Sequence, residues 1–198
     1  NFTAYPYSED TLTDSPLNFY AATKKSNELL AHSFCNTKGL RAIGLRFFTV
    51  YGSWGRPDMA PWLFTESMIK KKPIKIFNNG NMGRDFTHVS DCISGIIKSL
   101  DSFDLIFEKD KFNHGIFHDV YNLGNGKIET LDRFIKILEK TIGIKALKDF
   151  YPMQTGDVPK TLADIRKAKK AFGYCPKISL EKGLEEWVLW YKNYHKLI

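Results

Sequence analysis

The chain has 198 residues, of which 43% are hydrophobic and 14% aromatic, so it can form one good-sized domain, or one domain and a small lobe. Its net charge of +7 suits nucleic acid, an anionic membrane or an anionic substrate, but the lysines are scattered and no nucleic-acid recognition motif is present. No apolar run approaches the roughly 18 residues that a membrane span needs, and the first residues lack the regions of a signal peptide. We therefore expect neither nucleic acid nor a membrane as a partner, and the missing initiator Met indicates a processed chain or a fragment.

The predicted elements alternate between helices and strands. Asp14-Ser15-Pro16 predicts the start of the first helix, and Gly39 predicts its end. The elements predicted next are a buried strand at 41–50, a loop at 51–57, a helix at 62–71, a strand at 74–77, a turn at 78–83, an extended piece at 84–89 and a helix at 89–100. They are followed by a loop at 101–117, a strand at 120–123, a helix at 131–142, a strand at 149–152 and helices at 164–172 and 180–194. This alternation is typical of α/β architecture.

The cysteines and histidines indicate neither disulfides nor a metal site. Cys35, Cys92 and Cys175 are far apart in sequence and form no Cys-x-x-Cys pair, which favours a reducing cytoplasm over a disulfide framework. His114 and His118 have the spacing of zinc ligands on a helix, but their surroundings are typical of a loop and offer no third ligand. We therefore expect no metal.

Tyr20 and Lys24 are the candidate acid/base pair. Four residues apart on the first predicted helix, they share one face. A fixed positive charge favours the phenolate, so the pKa of a tyrosine, normally about 10, can fall toward neutrality and let it exchange a proton with a substrate hydroxyl. The spacing alone occurs readily by chance in a lysine-rich chain with 9 tyrosines, and a surface i,i+4 pair is the alternative interpretation.

Gly124-Asn125-Gly126 has the appearance of a dinucleotide-binding loop, because it follows a predicted strand and precedes a predicted helix. Glu129 occupies the place of the third glycine, and a carboxylate is unfavourable against a pyrophosphate. We interpret the segment as a β-to-α turn and predict that these 198 residues contain no dinucleotide-binding loop.

Several segments together resemble the extended short-chain dehydrogenase/reductase family, specifically its nucleotide-sugar epimerases. The segments are 20–28 (YAATKKSNE), 45–52 (LRFFTVYG), 55–60 (GRPDMA), 80–86 (GNMGRDF), 121–124 (YNLG), 156–158 (GDV) and 172–174 (FGY). Their order and spacing match the family through essentially the whole chain. The second and third segments are similar to the corresponding segments of UDP-glucuronate 4-epimerases, which narrows the resemblance to this subfamily of nucleotide-sugar epimerases.

The resemblance begins partway into the family pattern. The family's N-terminal half carries a Gly-x-x-Gly-x-x-Gly loop for NAD and a Ser/Thr of the catalytic triad, and neither occurs here. The resemblance implies the C-terminal part of a Rossmann-like NAD(P)-binding fold plus the small substrate-binding lobe. Residues 1–60 would complete the core with its Tyr-x-x-x-Lys helix, and 61–198 would form mostly the lobe, with 85–123 contributing back to the core. The resemblance also implies that NAD is the cofactor and that the missing half provides most of its site. This chain alone would therefore have no activity.

The resemblance assigns the reacting groups to Tyr20 and Lys24. Tyr20 would take the proton of the sugar 4-hydroxyl while NAD⁺ takes the C4 hydride, and the 4-keto sugar would turn over before hydride returns to its other face. Lys24 would bind the nicotinamide ribose and hold the phenolate ready, so both residues also belong to the implied cofactor site.

The resemblance places three residues at the nucleotide. Arg84 would contact the UDP pyrophosphate, for which a planar guanidinium is well suited; a turn arginine in a surface ion pair is the alternative. Asp157 matches a position near the nucleotide ribose. Gln154 stands where related hexose epimerases often carry arginine, which puts its pyrophosphate contact in doubt.

Thr49 and Arg56 lie in the subfamily-specific loop. A cation or hydroxyl donor near the sugar's C5 substituent would explain a preference for a uronic-acid carboxylate over a neutral CH₂OH. The alternative is that Arg56 only organises the loop. We expect Tyr51 and Trp54 to pack the loop rather than touch substrate.

The paired helices at 17–37 and 61–71 resemble elements of a four-helix dimer interface, which implies a homodimer. The resemblance therefore implies a cytoplasmic, NAD-dependent UDP-glucuronate 4-epimerase. The alternatives are a UDP-hexose 4-epimerase, a UDP-glucuronate decarboxylase, a sugar dehydratase or a non-catalytic nucleotide-sugar-binding fragment.

Overall fold

The computed structural model describes residues 5–109 and 118–197. The helices are α1 (Phe19–Lys38), α2 (Ala60–Ile69), α3 (Val89–Asp101), α4 (Phe103–Lys109), α5 (Leu131–Ile142), α6 (Arg166–Phe172) and α7 (Leu180–Tyr194). The strands are β1 (Ala42–Phe47), β2 (Thr49–Tyr51), β3 (Ile74–Ile76), β4 (Gly83–Arg84), β5 (Phe86–His88), β6 (His118–Leu123), β7 (Glu129–Thr130) and β8 (Lys148–Phe150). A 3₁₀ turn, Phe77–Gly80, follows β3. Parallel pairs flanked by helices confirm the α/β class.

The helix α1 begins later than the sequence predicts. The side chain of Asn18 accepts the Ala21 N–H at 2.8 Å and caps the helix, so the predicted start at residues 14–16 is wrong. The predicted end is confirmed, because Gly39 takes the left-handed conformation with φ 64° and its N–H returns to the Cys35 carbonyl.

One group of elements is built on the parallel pair β1–β6, which runs in register from Ala42 beside His118 to Phe47 beside Leu123. The helices α3, α4 and α6 pack near it. Its buried side chains are Ile106, Tyr121, Leu123, Ala168, Phe172 and Tyr174. Strand β1 itself is half-buried, so the expectation of a buried strand at 41–50 is wrong in this respect.

A second group surrounds the helices α2, α5 and α7. The parallel pair β3–β8 and the antiparallel pair β4–β7 lie at its edges. Its buried side chains include Phe64, Met68, Ile74, Ile76, Phe134, Leu138, Leu184 and Trp187. The indole N–H of Trp187 donates to the hydroxyl of Thr65 at 2.9 Å, which satisfies the one polar atom of this large buried ring.

Strand β2 pairs in parallel with β5 and joins the two groups. The chain therefore crosses from the first group of elements to the second near residues 48–59. The domain limits given above, 1–60 and 61–198 with 85–123 returning to the core, stay a prediction.

Most predicted elements agree with the structure, and the predicted helices at 131–142 and 180–194 coincide with α5 and α7. The loop predicted at 101–117 is wrong in part, because residues 103–109 form α4; residues 110–117, with His114, lie outside the described residues. The segment 124–126 is a turn, as predicted, and leads through the short β7 into α5. Within the described residues, none of the helices combines the length and the apolar character that crossing a membrane requires.

Candidate active site

A cleft of about 330 Å³ lies between the first turn of α1, the segment 48–56, the start of α2 and Trp187 of α7. The residues that line it are Tyr20, Phe48, Val50, Tyr51, Gly52, Ser53, Trp54, Gly55, Arg56, Met59, Pro61, Trp62, Val89 and Trp187. The structure thus places Tyr20 and Arg56 in the same cleft, although 36 positions separate them in the sequence.

Tyr20 and Lys24 lie on the exposed side of α1. The Tyr20 side chain is 65% exposed, so its phenol is open to a ligand. The ammonium of Lys24 lies 5.2 Å from the centre of the Tyr20 ring, within range of a cation–π contact. Within 5–109 and 118–197, no carboxylate lies within 4.0 Å of this ammonium, so its charge remains available to a ligand. The predicted sharing of one helix face is confirmed by this geometry.

Arg56 sits at the rim of the cleft. Its guanidinium lies 3.2 Å from the carboxylate of Asp58, and both side chains are well exposed. Such exposed pairs contribute little to stability, so a ligand carboxylate can compete with Asp58 for this guanidinium. Thr49 begins β2 and does not line the cleft; its N–H donates to the Asp85 carbonyl at 3.1 Å. The structure therefore brings Arg56, but not Thr49, to Tyr20.

The two aromatic residues of the loop differ. Tyr51 is buried, and its hydroxyl donates to the Ser179 carbonyl at 3.4 Å. Burial raises the pKa of Tyr51 well above that of a free phenol, so it stays neutral. Trp54 is 77% exposed and contacts the rings of Trp190 and Tyr194 at 5.5 and 5.6 Å between centres. Tyr51 thus packs inside the fold as expected, whereas Trp54 contacts two rings of α7 and stays mostly exposed; both residues line the cleft, so their lack of contact with substrate stays a prediction.

Arg84 and Asp157 are paired with each other. One guanidinium nitrogen of Arg84 donates to Asp157 at 2.8 Å, and the other donates to the carbonyls of Pro159 at 3.2 Å and Gly83 at 3.0 Å. Asp157 also accepts the Val158 N–H at 2.8 Å. The resemblance placed both residues at the nucleotide, and the alternative for Arg84 was an ion pair at a turn; the structure contains such a pair, with Asp157 as the partner. Exposed Gln154 lies on the same loop, where its carbonyl accepts the Asp157 N–H at 3.3 Å.

Asn18 connects this loop to α1. Besides capping the helix, its side-chain amide donates to the Gly156 carbonyl at 3.2 Å. The loop that carries Asp157 is thereby attached two residues ahead of Tyr20. Sequence reasoning missed this link, because an Asn before a helix indicates a cap and gives no sign of a second partner 138 positions away.

Asp85, next to Arg84, is a fully buried carboxylate that the sequence analysis did not single out. One oxygen accepts the Asn125 N–H at 2.6 Å and the Thr87 hydroxyl at 3.2 Å; the other accepts the N–H groups of Gly126 and Ala163, both at 3.0 Å. Burial raises the pKa of the Asp85 carboxyl, and the donors oppose that rise. The N–H groups of the glycine-rich turn are thus engaged by a protein carboxylate, which supports the interpretation that this turn is not a dinucleotide-binding loop.

This arrangement defines an α/β protein with an exposed tyrosine–lysine pair at a cleft. The sequence model of the NAD dependent epimerase/dehydratase family matches residues 2–115, and the chain belongs to this family. The predicted membership of the extended short-chain dehydrogenase/reductase epimerases is confirmed.

Two curated relatives illustrate the match. The chain is 43% identical over 195 residues to UDP-glucuronate 4-epimerase 1 of Arabidopsis thaliana, covering 96% of this chain and 46% of that protein. It is 39% identical over 200 residues to Protein CapI of Staphylococcus aureus, covering 98% of this chain and 60% of that protein. The chain therefore spans about half the length of the curated relatives it matches.

Among solved structures, the chain is similar to the UDP-glucuronic acid 4-epimerase of Bacillus cereus in complex with UDP-glucuronic acid and NAD. The identity is 35% and the TM-score 0.85, covering 96% of this chain and 57% of that one. It is also similar to the UDP-glucose 4-epimerase of Thermotoga maritima with UDP-glucose, at 28% identity and a TM-score of 0.82, covering 98% and 60%. The predicted Rossmann-like class is confirmed by these neighbours.

Proposed function

We propose that this chain is part of an NAD-dependent nucleotide-sugar 4-epimerase that interconverts UDP-glucuronate and UDP-galacturonate. The observation that carries the proposal is the cleft shared by Tyr20 and Arg56. A ligand in this cleft would face both a phenol that can transfer a proton and a guanidinium that can bind a carboxylate. Relatives described as UDP-glucuronate 4-epimerases, with 43% identity in the Arabidopsis example, support the choice of substrate.

Tyr20 acts as the acid/base in this proposal. Its phenolate accepts the proton of the sugar 4-hydroxyl as the C4–H bond breaks, and the phenol returns that proton to the 4-keto oxygen when the C4–H bond re-forms. The ammonium of Lys24 lies 5.2 Å from the centre of the Tyr20 ring, so a positive charge stands beside the acid/base group.

The exposed face of α1 fits a dinucleotide. The ammonium of Lys24 can donate to ribose hydroxyls because no described carboxylate engages it. NAD, when bound, accepts the C4 hydride and returns it. These 198 residues contain no glycine-rich dinucleotide loop, and we therefore expect the chain by itself to turn over no UDP-sugar.

Arg84, Gln154 and Asp157 bind the nucleotide in this proposal. Arg84 donates one N–H to Asp157 and two to backbone carbonyls, so its guanidinium is held in one orientation. A guanidinium held in this way can donate its remaining N–H groups to pyrophosphate oxygens. Asp157 can accept from ribose hydroxyls, and the amide of Gln154 can donate to a phosphate. Thr49 lies in β2 outside the cleft, so its contact with the sugar stays a prediction from the resemblance.

The decisive experiment compares substrates in the full-length enzyme. Arg56→Ala should raise KM for UDP-glucuronate by about tenfold or more while changing KM for UDP-glucose little, because only the uronate offers a carboxylate. Arg41→Ala, which removes another arginine that is paired with a carboxylate, that of Asp104, is the control. Equal losses on both substrates would refute the role of Arg56 in specificity.

Tyr20→Phe tests the acid/base role. The variant should lose about 10²–10⁴-fold in kcat and still bind the UDP-sugar. Product analysis separates the alternatives, since UDP-xylose would indicate a decarboxylase, a 4-keto-6-deoxy sugar a dehydratase, and UDP-galactose from UDP-glucose a hexose epimerase. Binding of the UDP-sugar without turnover by the full-length protein would indicate a non-catalytic binding protein.

We also propose a homodimer through α1 and α2. Large apolar side chains lie exposed on these helices, and they are Leu29, Leu30, Phe34 and Leu63. Exposed apolar side chains that cluster on a surface are typical of an interaction site. Leu30→Asp should shift the full-length protein to monomer in light scattering after size-exclusion chromatography, and an unchanged mass would contradict this interface.

A further inference from the structure

The side chain of Asn18 uses both of its polar atoms. Its oxygen accepts the Ala21 N–H at 2.8 Å, and its nitrogen donates to the Gly156 carbonyl at 3.2 Å. An amide is both donor and acceptor, whereas Asp at the same position only accepts, and Ser is too short to reach both partners. The helix cap requires only the side-chain oxygen of Asn18, which accepts. The NH₂ group of the same side chain therefore forms the second hydrogen bond, to the Gly156 carbonyl.

The partner of this contact is equally specific. Gly156 has φ +80°, in the left-handed region that favours glycine, and this conformation sets the direction of its carbonyl. A Cβ built on Gly156 would lie 3.8 Å from the Asn18 Cβ, an ordinary van der Waals distance, so the positive φ rather than lack of space favours glycine here. The contact thus joins an amide side chain to a turn whose backbone conformation favours glycine.

The contact lies between the two halves of the proposed site. On one side, Gly156 precedes Asp157, which holds Arg84 at 2.8 Å. On the other side, Asn18 begins the helix whose second residue is Tyr20, and Tyr20 lines the cleft. A continuous set of short contacts thus runs from the nucleotide-binding loop to the acid/base residue.

We propose that Asn18 is a positioning residue that couples binding of the nucleoside diphosphate at the 154–157 loop to the placement of the Tyr20 phenol. This inference rests on the proposed function, because it takes the substrate to be a nucleoside diphosphate sugar. A ligand that orders the loop then also restrains the first turn of α1, and the effect is reciprocal between the two sites.

The test uses the full-length protein, UDP as the ligand, and hydrogen exchange as the readout. In the unsubstituted protein, UDP should slow amide exchange in the peptides covering 154–158 and 20–24. In Asn18→Asp and Asn18→Ser, protection of 154–158 should remain while the added protection of 20–24 is lost. Both replacements are good helix caps, so α1 should still form. Because Ser adds no charge, the same loss of protection at 20–24 in both variants excludes the new negative charge of Asp as the cause of that loss.

Kinetics provide the second readout. Both variants should lower kcat with UDP-glucuronate by about three- to tenfold, the value of one hydrogen bond, with KM changed less than about twofold. Gly156→Ala strains the same contact from the other side, because alanine rarely adopts φ +80°, so adding Asn18→Asp to it should lower kcat by less than the product of the two single effects. Thr130→Ser is the matched control, because Thr130 caps α5 through the Arg133 N–H and has no such second partner among the described residues.

The outcomes separate this inference from the proposed function. If UDP protects 154–158 and the response of 20–24 is the same with and without Asn18, the inference is wrong and the proposed function stands. Additive effects of the two substitutions on kcat would also overturn it. If UDP fails to protect 154–158 in the unsubstituted protein, the nucleotide site itself is wrong, and the inference falls with it.

Discussion

Replacing Asp85 with Asn should destabilise the protein by roughly 2–4 kcal/mol. The carboxylate accepts from four donors, two at each oxygen, and it is fully buried. In the Asn variant an NH₂ group replaces one of the two carboxylate oxygens. It does least harm in place of the oxygen that accepts from Asn125 and Thr87, because the Thr87 hydroxyl can rotate and accept a hydrogen bond from it. The Asn125 N–H, now 2.6 Å from an acceptor, would then face a donor. One buried N–H is left unsatisfied, and the other bonds lose their charge assistance.

Equilibrium unfolding in urea at neutral pH measures this loss. Thr87→Val is the matched control, since it removes one donor to the same carboxylate and should cost only about 0.5–1.5 kcal/mol. The midpoint for Asp85→Asn should fall well below that of the control with an unchanged slope. A change under about 0.5 kcal/mol would refute the reasoning, because it would mean that these donors find other partners.

Two further predictions concern stability. The guanidinium of Arg46, bonded to Glu28, lowers the pKa of that carboxyl, so its stabilisation is present above the unfolded value of about 4.5 and is lost as the pH falls through the folded value. Glu28→Gln should therefore lose less unfolding free energy than the unsubstituted protein between about pH 5.5 and 3, and parallel curves would contradict this. Gly183→Ala should cost roughly 1–3 kcal/mol in urea unfolding, since its Cβ would lie 2.1 Å from the hydroxyl of buried Tyr51; unchanged stability would show that α7 moves freely.

The long helices of this fold were predictable from local signals. The predicted bounds of α5 and α7 are confirmed because apolar residues recur at helical spacing, and Thr130 and Ser179 supply caps directly before them. The helix α4 was missed because its surroundings are polar. Ile106, 5% exposed, is held in the buried cluster that includes Tyr121, and this packing favours helix where local pattern did not.

By itself, the sequence determined the α/β class, because helix and strand patterns alternate along it, and the family resemblance, because seven segments occur in the family's order. That resemblance made candidates of Tyr20, Lys24 and Arg56. The tertiary structure alone decided which distant groups meet. Arg84 is paired with Asp157 across 73 positions, and Asn18 with Gly156 across 138. Such pairs leave no periodicity in the chain, since they form only after strands and loops from separate regions have packed against one another.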